Sequence, residues 1–114
     1  MSRDRGNRAA AWVAAYLTAW WPHAEKTPNG RAGADILGTP GVKIEVKTGV
    51  TWREAWLKQV LGYVFSDDLP MLVYLPPGLG ERSVAHAQAV FPLHIAMKLL
   101  EDAGYTPART ETPS

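Results

Sequence analysis

The chain reads as an α/β domain: a short mixed β-sheet flanked by helices, in the order α-β-β-α-β-β-α. Three observations lead there. Apolar residues recur at helical spacing near the N-terminus, in the middle and near the C-terminus of the chain. Residues 42–47 alternate strictly between apolar and charged side chains, as a strand with one buried face does. Residues 71–75 form a continuous apolar run between Pro70 and Pro76-Pro77, which suits a buried central strand. At 114 residues there is room for one domain with a real core and not for two, and we place that domain at residues 1–105. No cysteine is present, which excludes disulfides, a thiol nucleophile and a zinc-thiolate centre. No apolar run approaches the about 20 residues of a membrane span, and the N-terminus lacks the apolar stretch of a signal peptide. The expectation is a cytoplasmic protein with no membrane partner.

Taken in order, residues 1–7 are polar and read as a frayed arm. A helix is expected over residues 8–20, where Trp12, Val13, Tyr16, Leu17 and Trp20 recur at helical spacing, alanines fill the gaps and Pro22 stops it. Trp12, Tyr16 and Trp20 read as core or interface residues. Residues 22–34 form a loop or an irregular strand with an Asn29-Gly30 turn signal and the bases Lys26 and Arg31 on either side. Residues 33–47 read as two short strands joined by a tight turn at Gly38, Pro40 and Gly41. In the second strand Val42, Ile44 and Val46 point one way and Lys43, Glu45 and Lys47 the other. A helix then runs from a capping-box-like Thr51-Trp52-Arg53-Glu54 to about Phe65. Gln59 and Tyr63, four apart, share a face of it. After the central strand come a loop to Ser83 and an edge strand over residues 84–91. Pro92 and Gly104 bracket a last helix with the stripe Leu93, Ala96, Met97 and Leu100. Residues 106–114 read as a disordered tail.

The chemistry concentrates in residues 33–47. A hard cation such as Mg²⁺ or Mn²⁺ takes oxygen ligands, usually one or two carboxylates with water completing the shell. Asp35, Glu45 and the Val46 backbone carbonyl supply three oxygens. Lys47, two residues beyond Glu45 on the same face, is placed to orient a water or to offset charge building up on a phosphate. The set suits metal-assisted cleavage of a phosphodiester. Strand geometry sets a condition: for Asp35 to share the face of Lys43, Glu45 and Lys47 it should lie opposite an odd-numbered residue, most simply Lys43. Opposite Ile44, with no bulge, the site does not form. Charge distribution agrees with a phosphate-facing surface. Residues 1–60 hold nine Lys/Arg against five Asp/Glu and residues 61–114 three against six, although the whole chain is only +1.

Asp35 followed ten residues later by Glu45-Val46-Lys47, within Gly-Ala-Asp-Ile and Ile-Glu-Val-Lys-Thr, resembles the signature of the PD-(D/E)XK nucleases. It is most similar to the small Holliday junction resolvase-like members of archaea, bacteria and phages, and the resemblance covers about residues 5 to 75. Gln59-Val-Leu-Gly-Tyr63 resembles the Gln-X-X-X-Tyr motif that follows in several of them. The resemblance implies a restriction-endonuclease-like core and a Mg²⁺- or Mn²⁺-dependent endonuclease. Asp35, Glu45, Lys47 and Gln59 would be its catalytic residues, and Asp35, Glu45 and the Val46 carbonyl its metal ligands. Lys26, Arg31, Lys43, Tyr63 and Arg8 would contact DNA. It further implies a homodimer acting on a branched, four-way DNA in recombination or repair, with exposed aromatics or the strand of Met71 as possible dimer surfaces. One departure stands out. Relatives carry a Glu on the first helix a few residues after a glycine, whereas Gly6 here is followed by Asn7, Arg8 and three alanines, which leaves Glu25 or a water as its replacement and puts the full metal complement or the activity in question. The alternatives are another nuclease of this type (nicking, flap-cutting or restriction-like), a DNA-binding protein that lost catalysis on the same fold, and a plain structural domain in which the motif is coincidental.

Overall fold

The structure, a computed structural model, describes residues 2–28, 34–50, 54–61 and 67–107. The expected capping box at residues 51–53, the end of the second helix to Phe65 and most of the expected C-terminal tail lie outside the described residues.

The centre of the fold is a three-stranded mixed sheet. Strand β3 (Val42–Thr48) pairs in parallel with β4 (Leu69–Leu75), from Val42↔Leu69 to Thr48↔Leu75. Strand β5 (Gln88–Val90) runs antiparallel on the other side of β4, with Leu72↔Val90 and Tyr74↔Gln88. The apolar run is thus the central strand, as its composition requires, and Leu72 and Leu75 are fully buried. A two-stranded antiparallel ribbon, β1 (Glu25–Lys26) with β2 (Ile36–Leu37), lies on the β3 side.

Helix α1 (Ser2–Leu17) covers one face of the sheet. Its buried residues are Ala9, Ala10, Val13 and Ala14, packed with Ile44 and Val46 of β3 and Val73 and Leu75 of β4. Two expectations change here. The helix starts at Ser2, not at residue 8, because a polar first turn carries no apolar periodicity to reveal it. The large aromatics, read as core or interface residues, do not form its buried centre, although Trp12 packs against the core cluster. Trp12 is half-buried and Tyr16 and Trp20 are exposed. Alanines bring the helix axis close to the strands, which leaves the rings no room beneath it and pushes them to the perimeter. Helix α2 (Glu54–Leu61) covers the opposite face, where Trp56 meets Tyr74 with ring centroids 5.5 Å apart and the Tyr74 hydroxyl donates to the Gly49 carbonyl at 2.5 Å.

Between β4 and β5 the expected edge strand over residues 84–91 is shorter. Glu81–His86 is a 3-10 helix, and only Gln88–Val90 pairs. Alternation over residues 84–88 is too weak to hold a ladder against the local turn at Gly80, whose carbonyl accepts the Ser83 N–H. Helix α3 (Leu93–Asp102) begins after Pro92 and ends before Gly104, whose φ is +85°. Its apolar stripe leaves none of the helix's residues buried.

Candidate active site

The turn between β2 and β3 is built by local chemistry. Gly38 sits at φ +81° with its α-carbon so close to the His23 carbonyl that a β-carbon would lie 2.2 Å from that oxygen. Gly41 takes φ +85° in open space. Thr39, buried between them, donates its hydroxyl to the Val42 carbonyl and accepts the Val42 N–H on its own carbonyl. This delivers the chain into β3 with even-numbered residues toward α1 and odd-numbered ones toward α2.

Asp35 is held at three atoms. Its N–H donates to the Ile44 carbonyl at 3.0 Å, and its own carbonyl accepts the Thr27 N–H at 2.8 Å. Its carboxylate Oδ2 accepts the Val46 N–H at 2.7 Å, the short length of a charge-assisted bond. The register condition set by strand geometry is therefore not met in its simple form: Asp35 bonds to even-numbered Ile44, not to Lys43. Nor do β2 and β3 form the expected hairpin ladder, because among the described residues β2 pairs only with β1. Asp35 instead stands beside the outer edge of β3, and its carboxylate takes the place of a strand partner's carbonyl. It meets the strand in the plane of the sheet, so no shared face is needed to bring it to Val46. In an extended strand the N–H and C=O of one residue point to the same side, which directs the Val46 carbonyl to that edge too.

Around this edge is an open cavity of about 220 Å³ lined by Gly6, Asn7 and Ala10 of α1, Lys26, Thr27, Asp35, Val46 and Lys47. Its charged lining residues are two lysines and one aspartate, a balance that favours an anion, and the Lys26 Nζ donates to the Thr27 carbonyl at 3.4 Å. Lys26 and Lys47 are half-buried, so their charges act at reduced dielectric. Glu45 occupies the α2 face opposite Leu72 and is 1% exposed. It is not among the cavity's lining residues, so Asp35 and Lys47 come together and Glu45 lies sealed beside them. A carboxylate buried on a face shared with Leu72, Tyr74 and Trp56 is costly unless partnered, and no described buried side-chain polar atom lacks a partner.

The other residues singled out from sequence scatter. Gln59 is exposed on α2 and outside the cavity, so the amide expected on an apolar stripe faces solvent instead. Arg8 is exposed on α1, one position beyond the cavity-lining Asn7. Lys43 pairs with Asp68 at 3.5 Å near the start of β3. Glu25, the acid considered as a substitute, is exposed on β1 and does not line the cavity. Arg31 and Tyr63 lie outside the described residues. Sequence reading missed Asn7, placed in a frayed arm, and Thr27, placed in a loop or irregular strand; extending α1 by two turns would have placed Asn7 on the face of Ala10 and Ala14.

Among the described residues no group of three or more His, Asp or Glu could hold a metal. The donors at the β3 edge are oxygens, the Asp35 carboxylate and the Val46 carbonyl, and Glu45 is not among them. That chemistry fits Mg²⁺ or Mn²⁺, which accept few protein ligands and keep several waters, and does not fit a thiolate or imidazole metal. No helix of the described residues is long and apolar enough to cross a membrane. Comparison with protein-family models, with curated proteins and with solved structures found no match to the chain.

Proposed function

We propose that this chain is a metal-dependent DNA endonuclease of the PD-(D/E)XK type, and that its substrate is a four-way junction. The observation that carries the reading is the clamp of the Asp35 carboxylate on the Val46 N–H at 2.7 Å, which sets one acid against the Glu45-Val46-Lys47 strand inside a cavity carrying two lysines. Asp35 and the Val46 carbonyl would be the chain's ligands to Mg²⁺ or Mn²⁺, with water completing the shell; Glu45, buried on the other face of β3, does not line this cavity. When bound, the ion would supply Lewis-acid polarisation of the phosphodiester and a nucleophile at neutral pH. Asp35 spends one oxygen on Val46 and keeps acceptor capacity on the other. Lys47 stabilises charge developing on the phosphate, and Lys26 neutralises backbone phosphate at the cavity mouth. Two copies related by a two-fold axis would cut two strands of a symmetric junction.

A second reading has its own observation. Helix α1 contributes Gly6, Asn7 and Ala10 to the cavity and no acid, which favours a protein that binds DNA without cutting it. One experiment separates the two: cleavage of a labelled four-way junction with Mg²⁺ and with Mn²⁺, beside a linear duplex of the same sequence, by the wild type and by Asp35→Asn. Paired symmetric cuts in the junction alone, lost in Asp35→Asn, support the resolvase reading. Cutting of both substrates makes the protein a more general nuclease. Junction binding with no cut in either metal overturns catalysis and leaves the binding protein.

A further inference from the structure

The wall that α1 contributes to the Asp35 cavity departs from the composition of the rest of the helix. Beyond residue 8 the helix is rich in alanine, the strongest helix former, with Ala9, Ala10, Ala11, Ala14 and Ala15. Gly6 and Asn7 are weaker formers, and glycine in a helix interior loses stability relative to alanine. Neither is a cap, because α1 starts at Ser2. Nothing among the described residues requires either of them. A β-carbon on Gly6 would meet nothing within 4 Å, so no neighbour demands its absence. The Asn7 side chain is half-buried and makes no hydrogen bond among the described residues. Yet both line the cavity, together with Lys26, Thr27 and Lys47.

The other donors of the lining differ in how far they are committed. Lys26 donates to the Thr27 carbonyl, and Thr27 donates its hydroxyl to the Ala34 carbonyl and its N–H to the Asp35 carbonyl. The Lys47 ammonium, like the Asn7 amide, has no hydrogen bond or ion pair among the described residues. The cavity therefore holds two uncommitted donor groups, a carboxamide from the helix and an ammonium from the strand.

We propose that Asn7 is a phosphate-binding residue: its carboxamide N–H donates to a phosphate oxygen whose charge Lys47 offsets, and Gly6 leaves room for that phosphate against the helix. A neutral donor suits this wall. Asp35 already sets one negative charge against the two lysines, and an acid on α1 would cancel the positive charge that remains. That the phosphate belongs to a nucleic acid rests on the function proposed above; the contact itself does not.

Inorganic phosphate and the four-way junction, both in EDTA, are the two probes. The chain has four side-chain amides, Asn7, Asn29, Gln59 and Gln88, so the Asn7 amide signal is directly assigned by NMR. Phosphate should shift it saturably, and Asp35→Asn should tighten phosphate binding at least about threefold by removing the opposing charge. Asn7→Ala should weaken phosphate binding about tenfold, read at the Lys47 backbone amide. Gly6→Ala should weaken it at least about threefold by filling the room beside the helix. Junction binding should fall in parallel in both. Each of the two variants carries a better helix former, so neither acts by unfolding α1, and thermal midpoints should hold or rise. An Asn7 signal that does not saturate, or phosphate affinity unchanged in Asn7→Ala or in Gly6→Ala, would overturn the proposal even if the junction is cut. Phosphate binding that meets these expectations in a protein that neither binds nor cuts the junction would uphold the contact and overturn the nucleic-acid reading.

Discussion

The bond between Val46 N–H and Asp35 Oδ2 gives Asp35 a structural role and a proposed chemical one, and two substitutions separate them. Asp35→Asn keeps an oxygen acceptor in the same place and removes the charge. A hydrogen bond to a charged group contributes about 1.5–3 kcal/mol and a neutral one about 0.5–1.5 kcal/mol, so Asp35→Asn should destabilise the fold by about 1 kcal/mol. Asp35→Ala removes the acceptor and strands the Val46 N–H. The full penalty for an unpaired donor is about 1–3 kcal/mol. The cavity is open, so water can reach that N–H and hold the cost near the middle, about 2 kcal/mol. Urea unfolding at neutral pH resolves the difference: with a slope of about 1–3 kcal/mol/M for a small domain, the midpoints should fall in the order wild type, Asn, Ala, some tenths of a molar apart. Junction cleavage should not follow that order. Both variants should lose at least about 100-fold, since each lacks the charge. An Ala variant within about 0.5 kcal/mol of wild type, or an Asn variant as unstable as Ala, would refute the clamp; an Asn variant that cuts at the wild-type rate would refute the catalytic role.

Other consequences follow from the turn, the α2 face and the start of β3. Gly38→Ala forces a β-carbon against the His23 carbonyl at positive φ and should destabilise by more than about 2 kcal/mol or prevent folding, whereas Gly41→Ala, at positive φ in open space, should cost about 1 kcal/mol; equal unfolding midpoints for the two would contradict the turn geometry. Tyr74→Phe should cost about 1 kcal/mol by leaving the Gly49 carbonyl without its donor, read as a lowered thermal midpoint with an unchanged spectrum. The Lys43–Asp68 pair has both side chains more than a third exposed or close to it, so a double-mutant cycle should find a coupling below about 0.5 kcal/mol. If Lys43 touches DNA, Lys43→Ala should also lower the salt dependence of junction binding by about one unit of slope.

How far the chain could be read before folding is clearest in β3. Its alternation of Val42, Ile44 and Val46 with Lys43, Glu45 and Lys47 is a local property of the residue order, and α1 and α2 cover the two faces that this alternation defines. The central position of β4 was equally legible, because a run of apolar residues between prolines has nowhere else to go. So were the Gly38 and Gly41 turn and the proline–glycine bracket of α3, since these depend on backbone dihedrals of single residues. Periodicity says which side of an element is apolar; it does not say which apolar sides find a partner. That is why α3 carries a stripe and stays uncovered, and why the alanines of α1, not its aromatics, meet the sheet. The choice of hydrogen-bond partner is likewise decided by approach in space. Asp35 and Glu45 were recognisable as acids ten residues apart, but only the folded chain sets the first on the open edge of β3 against Val46, seals the second under α2, brings Asn7 of a distant helix to the same cavity and leaves Gln59 in solvent.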